Sequence, residues 1–160
     1  MFQAISLAIV AALTVIDRLT KYAAVMTVKV DGPKEFLFGL FQFSYVENTG
    51  AAFSMFSDKT EILSVLTAVL IVAALVVLVR KMLKSKILNA ALILVISGGI
   101  GNLIDRIAYG YVIDFIEPLF IQFAVFNFAD CCITVGAFIV IAYEIYETIS
   151  ERKKKAEKHD

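Results

Sequence analysis

Four stretches of this chain, Ala4 to Val25, Ile62 to Val79, Ile87 to Ile107 and Phe126 to Tyr146, are long and apolar enough to cross a bilayer. A hydrocarbon layer about 30 Å thick needs roughly 20 residues of helix at about 1.5 Å per residue. Lipid offers no water to the peptide groups, so each such run must satisfy its own backbone hydrogen bonds, and a helix does that. The predicted fold class is therefore membrane all-α with four transmembrane helices. Hydrophobic residues make up 60% of the 160 positions, which excludes an ordinary soluble domain. One integral-membrane domain over residues 1–150, followed by a basic tail at 151–160, is the expected organisation. No repeat or linker points to a second domain.

The net charge is zero, but its distribution is uneven. Arg80, Lys81, Lys84 and Lys86 form one basic cluster, and Arg152, Lys153, Lys154, Lys155 and Lys158 form another. Lys and Arg concentrate on the cytoplasmic side of membrane proteins, so both clusters are expected inside. With four spans, both termini are then cytoplasmic, and the segments after the first and third spans lie outside. The first apolar segment lacks a positively charged leader region and a small-residue cleavage site, so it is expected to be a retained span.

The segment after the first span carries its own signal. Phe41, Phe43 and Tyr45 alternate with Gln42, Ser44 and Val46, and the whole stretch Phe36 to Val46 is rich in aromatic and branched residues. A period of two is the strand period. Asp31, Gly32 and Pro33 supply a turn before it, and Asn48, Thr49 and Gly50 interrupt it afterwards. The expectation is a small extracytoplasmic β-sheet element between helices 1 and 2, lying on the membrane surface with an apolar face toward lipid.

Against this background the polar residues stand out. A charge near the bilayer centre costs about 2.5 to 3.5 kcal/mol on insertion scales, so an ionisable group kept there is a candidate functional residue. Helix arithmetic puts Asp17 and Lys21 in the outer half of span one, one turn apart on one face. Asn102 and Arg106 arrive near the outer end of span three, again at i and i+4. Asn127 and Asp130 occupy the first turns of span four, and Asp114 lies in the short connection just before it. The charges on three spans thus fall at a similar depth. Two carboxylates in a partly desolvated pocket titrate as a unit, one of them with a raised pKa. Such a pair can take a proton from an attacking water and give one to a carbonyl oxygen or leaving amine.

Plainer readings exist for each of these groups. Asp17 with Lys21, and Asp105 with Arg106 or another nearby cation, could be packing ion pairs, and Asn48, Asn102 and Asn127 could be packing or capping groups. Gly98, Gly99 and Gly101 read as a close helix contact. Cys131 and Cys132 are adjacent on one helix, point in different directions and read as packing thiols rather than a disulfide. Ser97 has no His or Lys at a telling spacing. The single histidine, His159, lies in the basic tail, so no metal and no other cofactor are expected. A proton-coupled transporter, a thiol oxidoreductase and a non-enzymatic structural protein remain alternatives on this reading alone.

Five blocks of sequence resemble one family. They are Asp17-Arg18-Leu19-Thr20-Lys21, Val46 to Ser54, Gly98 to Arg106, Gly110-Tyr111-Val112-Ile113-Asp114-Phe115 and Phe126-Asn127-Phe128-Ala129-Asp130. In order and spacing they are similar to the bacterial lipoprotein signal peptidases, also called signal peptidase II. The resemblance implies an aspartic endopeptidase of the bacterial inner membrane that cleaves lipid-modified prolipoproteins on the amino side of the diacylglyceryl-cysteine. It implies that Asp114 and Asp130 are catalytic, and that Asp17, Lys21, Asn48, Gly98, Asn102, Arg106 and Asn127 bind substrate or support the site. One departure is Cys131, where the family usually has Ser. The expected partners are the lipidated substrate and membrane lipid, with no nucleic acid, and the protein is expected to act as a monomer with its site near the outer leaflet.

Overall fold

The computed structural model describes residues 1–50 and 60–156. Ala51, Ala52, Phe53 and Ser54 of the second block, and Lys158 and His159 of the tail, lie outside the described residues. In chain order the elements are α1 (Phe2–Met26), α2 (Val28–Asp31), β1 (Lys34–Phe36), β2 (Phe41–Asn48), α3 (Thr60–Val79), α4 (Lys86–Tyr109), β3 (Val112–Pro118) and α5 (Phe128–Ala156). Four helical stretches are long and apolar enough to cross a membrane; the first three contain the expected apolar runs, and the fourth begins at Phe128, two residues into the run expected from Phe126. The fourth outruns its apolar stretch, because α5 continues as helix through Ala156.

The spans differ in what they bury. Helix α4 is the centre of the bundle, contacted by α1, α3 and α5. Its start is capped by Ser85, whose side chain accepts a hydrogen bond from the Leu88 N–H, and its end by Gly110 in the left-handed region at φ 81°. Helix α1 buries Ser6, Val10, Asp17, Lys21 and Ala24, spaced by three, four and seven so that they line one stripe. Helix α3 fully buries only Ile71 and Leu78, packs Ala74 and Leu75 partly against the core, and leaves Val65, Leu66, Val69, Leu70 and Val72 exposed. Val10, Ile71, Leu78, Ile93 and Ile96 form the apolar core where α1, α3 and α4 meet.

Small residues let α4 approach its neighbours. A Cβ added at Gly98 would lie 2.3 Å from the Ala129 carbonyl oxygen, and one at Gly136 would lie 2.8 Å from the Ala91 carbonyl oxygen. The α4–α5 contact is thus backbone against backbone at both ends, as expected for Gly98.

The β element differs from expectation in two ways. First, the stretch from Phe36 to Val46 is a hairpin rather than one strand, since β1 and β2 pair antiparallel around a turn at Leu37 to Leu40. Second, it gains a third strand from the connection between α4 and α5, giving an antiparallel sheet in the order β1-β2-β3. Directly opposed residues share a face. The register Phe41↔Pro118, Phe43↔Ile116, Val46↔Asp114 and Asn48↔Val112 puts the Phe41, Phe43, Val46 and Asn48 positions on the face of Asp114. Gln42 and Glu117 oppose each other on the other face, where the Glu117 carboxylate accepts hydrogen bonds from Gln42 and from Ser44. Those donors hold Glu117 below the usual glutamate pKa. The sheet is amphipathic, and a register shift between Phe43 and Val46 preserves that sidedness across an extra residue.

Candidate active site

The site is organised by the N-terminus of α5. The first turn of any helix leaves backbone N–H groups without intrahelical partners, and side-chain oxygens meet them. Asn127 Oδ1 accepts from the Asp130 N–H at 2.9 Å, and Asp130 Oδ2 accepts in return from the Asn127 N–H at 3.1 Å. This is a reciprocal capping box, with Asn as the cap and Asp in place of the usual Glu or Gln. A third N–H, from Ala129, donates 3.0 Å to Asp17 Oδ1 and so docks α5 on α1. Asp130 is thereby fixed by helix geometry rather than by an ion pair.

Its other oxygen, Oδ1, accepts from Asn102 Nδ2 at 2.8 Å. Asn102 cannot turn its amide around, because its Oδ1 accepts from Lys21 Nζ at 2.9 Å and from Asn127 Nδ2 at 3.2 Å. An ammonium group has only donors, so Lys21 dictates that Asn102 present its oxygen inward and its nitrogen to Asp130. Asn127 Nδ2 also donates to Asp114 Oδ1 at 2.7 Å, and Asn48 Nδ2 donates to Asp114 Oδ2 at 2.9 Å. One fully buried amide therefore caps Asp130 and holds Asp114. Strand β3 supplies Asp114, strand β2 supplies Asn48, and α1, α4 and α5 supply the rest.

Asp114 is 2% exposed. Burial and the negative charge of Asp130 push its carboxyl up to about 7, against the opposing pull of Asn48, Asn127 and Lys21. Beside it opens a cavity of about 700 Å³, lined by Asn48, Asp114, Val46, Leu119, Ile121 and Phe123 among others. Glu117 and Gln122 add two more polar groups to a lining otherwise made of apolar side chains such as Pro118 and Val125.

Behind the amides lies a buried ionic cluster. Lys21 Nζ sits 3.0 Å from Asp17 and 2.8 Å from Asp105, and Arg18 pairs with Asp105 as well. Asp105 also accepts from the Ile113 N–H at 3.2 Å, which ties β3 to α4 one residue before Asp114. Of the partners expected for Asp105, Arg106 or another nearby cation, the structure shows the second, with Asp105 paired to Arg18 and Lys21. Arg106 instead donates 3.1 Å to the Gly50 carbonyl, a loop acceptor. The i, i+3 spacing of Arg18 and Lys21 already placed both cations on one face of α1. Removing one charge from such a buried set costs several kcal/mol, because a partner is left uncompensated.

The small residues belong to the same arrangement. At Gly101 an added Cβ would meet the Asp17 carboxylate at 2.5 Å, and at Gly98 it would meet the first turn of α5. All nine residues singled out from the sequence thus lie in or against one cluster, and Arg18 and Asp105 join them. Cys131 and Cys132 are free thiols on α5.

Comparison with known proteins points to one family. The family model described as Signal peptidase (SPase) II matches residues 9–146. The chain is 42% identical over 130 residues to the lipoprotein signal peptidase of Streptococcus thermophilus, covering 81% of this chain and 85% of that one. It is 39% identical over 143 residues to the lipoprotein signal peptidase of Clostridium tetani, covering 88% and 92%. A bacterial membrane enzyme solved by the in meso method at 2.3 Å superimposes with a TM-score of 0.83 at 27% identity, covering 91% of this chain and 90% of that one. With most of its length matched in sequence and in fold, this multi-pass membrane protein belongs to the signal peptidase II family.

Proposed function

We propose that this protein is an aspartic endopeptidase that removes the signal peptide from diacylglyceryl-modified prolipoproteins, cutting on the amino side of the lipidated cysteine. The observation that supports this most is Asn127, which holds the Asp114 carboxylate with its amide nitrogen while capping the helix that carries Asp130. Asp114, with its carboxyl pushed up to about 7 by burial and the nearby Asp130 charge, can gain and lose a proton near neutral pH, as general acid–base work requires.

In the reaction we infer, the ionised member takes a proton from a water as its oxygen attacks the scissile carbonyl carbon. The protonated member gives its proton to the carbonyl oxygen, leaving a tetrahedral diol. Collapse breaks the C–N bond, returns a hydroxyl proton to one carboxylate and passes the other proton to the leaving amine. The products are a signal peptide with a free carboxyl group and a chain that begins with the lipidated cysteine, and the pair regains its starting protonation. Asn48, Asn102, Asn127 and Lys21 keep the two carboxylates in place throughout, and Asp17, Arg106 and Gly98 hold the helices that carry them.

The same reading places both termini in the cytoplasm and the sheet at the outer surface of the bacterial inner membrane. A lipid anchor on the substrate keeps the scissile bond at that surface, and the cavity beside Asp114 opens under the apolar face of the sheet. The test is to incubate the purified protein with a synthetic diacylglyceryl prolipopeptide and identify the products by mass. A new N-terminus at the lipidated cysteine, unaffected by chelator, is expected. Cleavage at another bond, equal cleavage of the unlipidated peptide, or loss of activity with chelator would overturn the proposal.

A further inference from the structure

Two loops at one end of the sheet expose apolar side chains that a water-facing sheet would not keep. The hairpin turn presents Leu37 at 56%, Phe38 at 104% and Leu40 at 49% exposure. The segment leaving β3 presents Leu119 at 41%, Phe120 at 56% and Ile121 at 52%. The loops are joined, since the Leu119 N–H donates 2.9 Å to the Leu40 carbonyl and the Phe120 ring meets Phe41 edge-on at 5.5 Å.

The backbone supports a specific role for this tip. Leu37 at φ 49° and Phe38 at φ 58° are both left-handed, a conformation that branched and bulky residues adopt rarely and at a cost. The turn holds these two side chains outward against their own preference. Charge is excluded as well: no Asp, Glu, Lys or Arg occurs from Phe36 to Val46 or from Pro118 to Ala129. The charges of the sheet begin only outside these loops: Glu35 and Glu117 lie in register with Gln42 on the face away from Asp114, and Lys34 lies opposite Phe43.

Tethering fixes where the tip can reach. The hairpin follows α1 and α2 after Gly32 and Pro33, and the second loop feeds into α5 at Phe128. Both are therefore held at the level where spans one and four end, which is where a bilayer surface must lie. An uncharged aromatic tip at that level meets the headgroup and upper acyl region, the environment that favours amphipathic aromatic anchors.

We propose that Leu37, Phe38 and Leu40, together with Leu119, Phe120 and Ile121, form a two-loop anchor that inserts the free end of the sheet into the outer leaflet. This rests on the outer-surface position of the sheet proposed above. Anchored in this way, the sheet forms a fixed roof whose apolar face is continuous with lipid, so a lipidated substrate can reach Asp114 and Asp130 without leaving the bilayer.

The chain has no tryptophan, so Phe38→Trp introduces a single reporter. The variant is reconstituted without substrate in vesicles of phosphatidylglycerol and phosphatidylethanolamine, with or without lipids brominated at defined chain positions. Expected are a blue-shifted emission, strong quenching by bromines near the upper acyl chain and weak quenching by aqueous iodide. Water-like emission quenched by iodide overturns the anchor. Blue-shifted emission quenched by neither agent also overturns it, because the tip is then covered by protein. Phe38→Asp supplies the functional arm: KM for a vesicle-embedded lipopeptide rises at least fivefold while kcat stays within twofold. An unchanged KM overturns the roof role. Product analysis on the unsubstituted protein separates this from the peptidase reading: no cleavage there indicts that reading, while the depth of the Phe38→Trp reporter still tests the anchor.

Discussion

Substituting Gly98 with Ala tests whether the α4–α5 contact aligns the carboxylates. The new Cβ would lie 2.3 Å from the Ala129 carbonyl oxygen and 2.8 Å from Ile133 Cγ1, where ordinary contact begins at 3.4 Å. The backbone oxygen cannot rotate away, so α5 must back off by roughly 1 Å. Asn102 lies one turn further along α4, and its 2.8 Å bond to Asp130 would stretch to nearly 4 Å, past any real hydrogen bond. Overpacking of this kind destabilises by about 1–3 kcal/mol, and a 1 Å misplacement near reacting groups lowers rate by about 10²-fold. Gly136→Ala is the control, because its Cβ meets the Ala91 carbonyl oxygen at 2.8 Å in the same interface, six residues beyond Asp130. The assay is kcat/KM on a diacylglyceryl prolipopeptide, with thermal unfolding followed by circular dichroism. Gly98→Ala should lose about a hundredfold in activity, whereas Gly136→Ala should lose stability but stay within fivefold in rate. Equal loss of activity in both variants would refute alignment in favour of general destabilisation.

Other outcomes follow from the same contacts. Asn127→Ala removes the cap of α5, worth about 1 kcal/mol, and the donor to Asp114, so kcat should fall at least a hundredfold while thermal stability drops only modestly. Because the folded pKa of Asp114 is raised to about 7 from 3.8, the contribution of this group to stability is complete below about pH 4 and lost as pH rises through 7. Asp114→Asn should therefore stabilise the fold more at pH 8 than at pH 5, measured as the difference in Tm, and parental kcat/KM should decline as pH rises through about 7. Cys131 and Cys132 have no part in the proposed chemistry, so the double Ser variant should cleave lipopeptide at close to the parental rate.

The parts of the fold legible in the sequence are those set by uninterrupted composition or by a single helix face. Four apolar runs gave four helices, and the i, i+3 and i, i+4 spacings of Asp17 with Lys21 and Asn127 with Asp130 placed those residues correctly. Strand β2 was readable because one face is apolar and the other polar. Strand β3 was not, because Val112, Ile113, Asp114 and Phe115 are all buried and the period of two disappears. The hairpin turn was hidden for another reason: Leu37 and Phe38 are not turn formers, and only Gly39 between them and Leu40 hinted at it. Partners that lie across helices, such as Arg18 with Asp105, depend on how α1 and α4 dock, and one-dimensional spacing cannot reveal that. The amide linkage through Asn127 is likewise a product of packing, as it joins a strand to a helix thirteen residues away.

The central claim is that Asp114 and Asp130 act as one unit, and the most direct measurement is single-turnover cleavage by Asp114→Asn, Asp130→Asn and the double variant. If the two carboxylates share one proton and both steps, each single substitution should cost nearly as much as both together, about 10³-fold or more below the parent, as is found for catalytic groups that work as a set. Losses that multiply in the double variant, or parental cleavage by either single variant, would contradict the shared-dyad account.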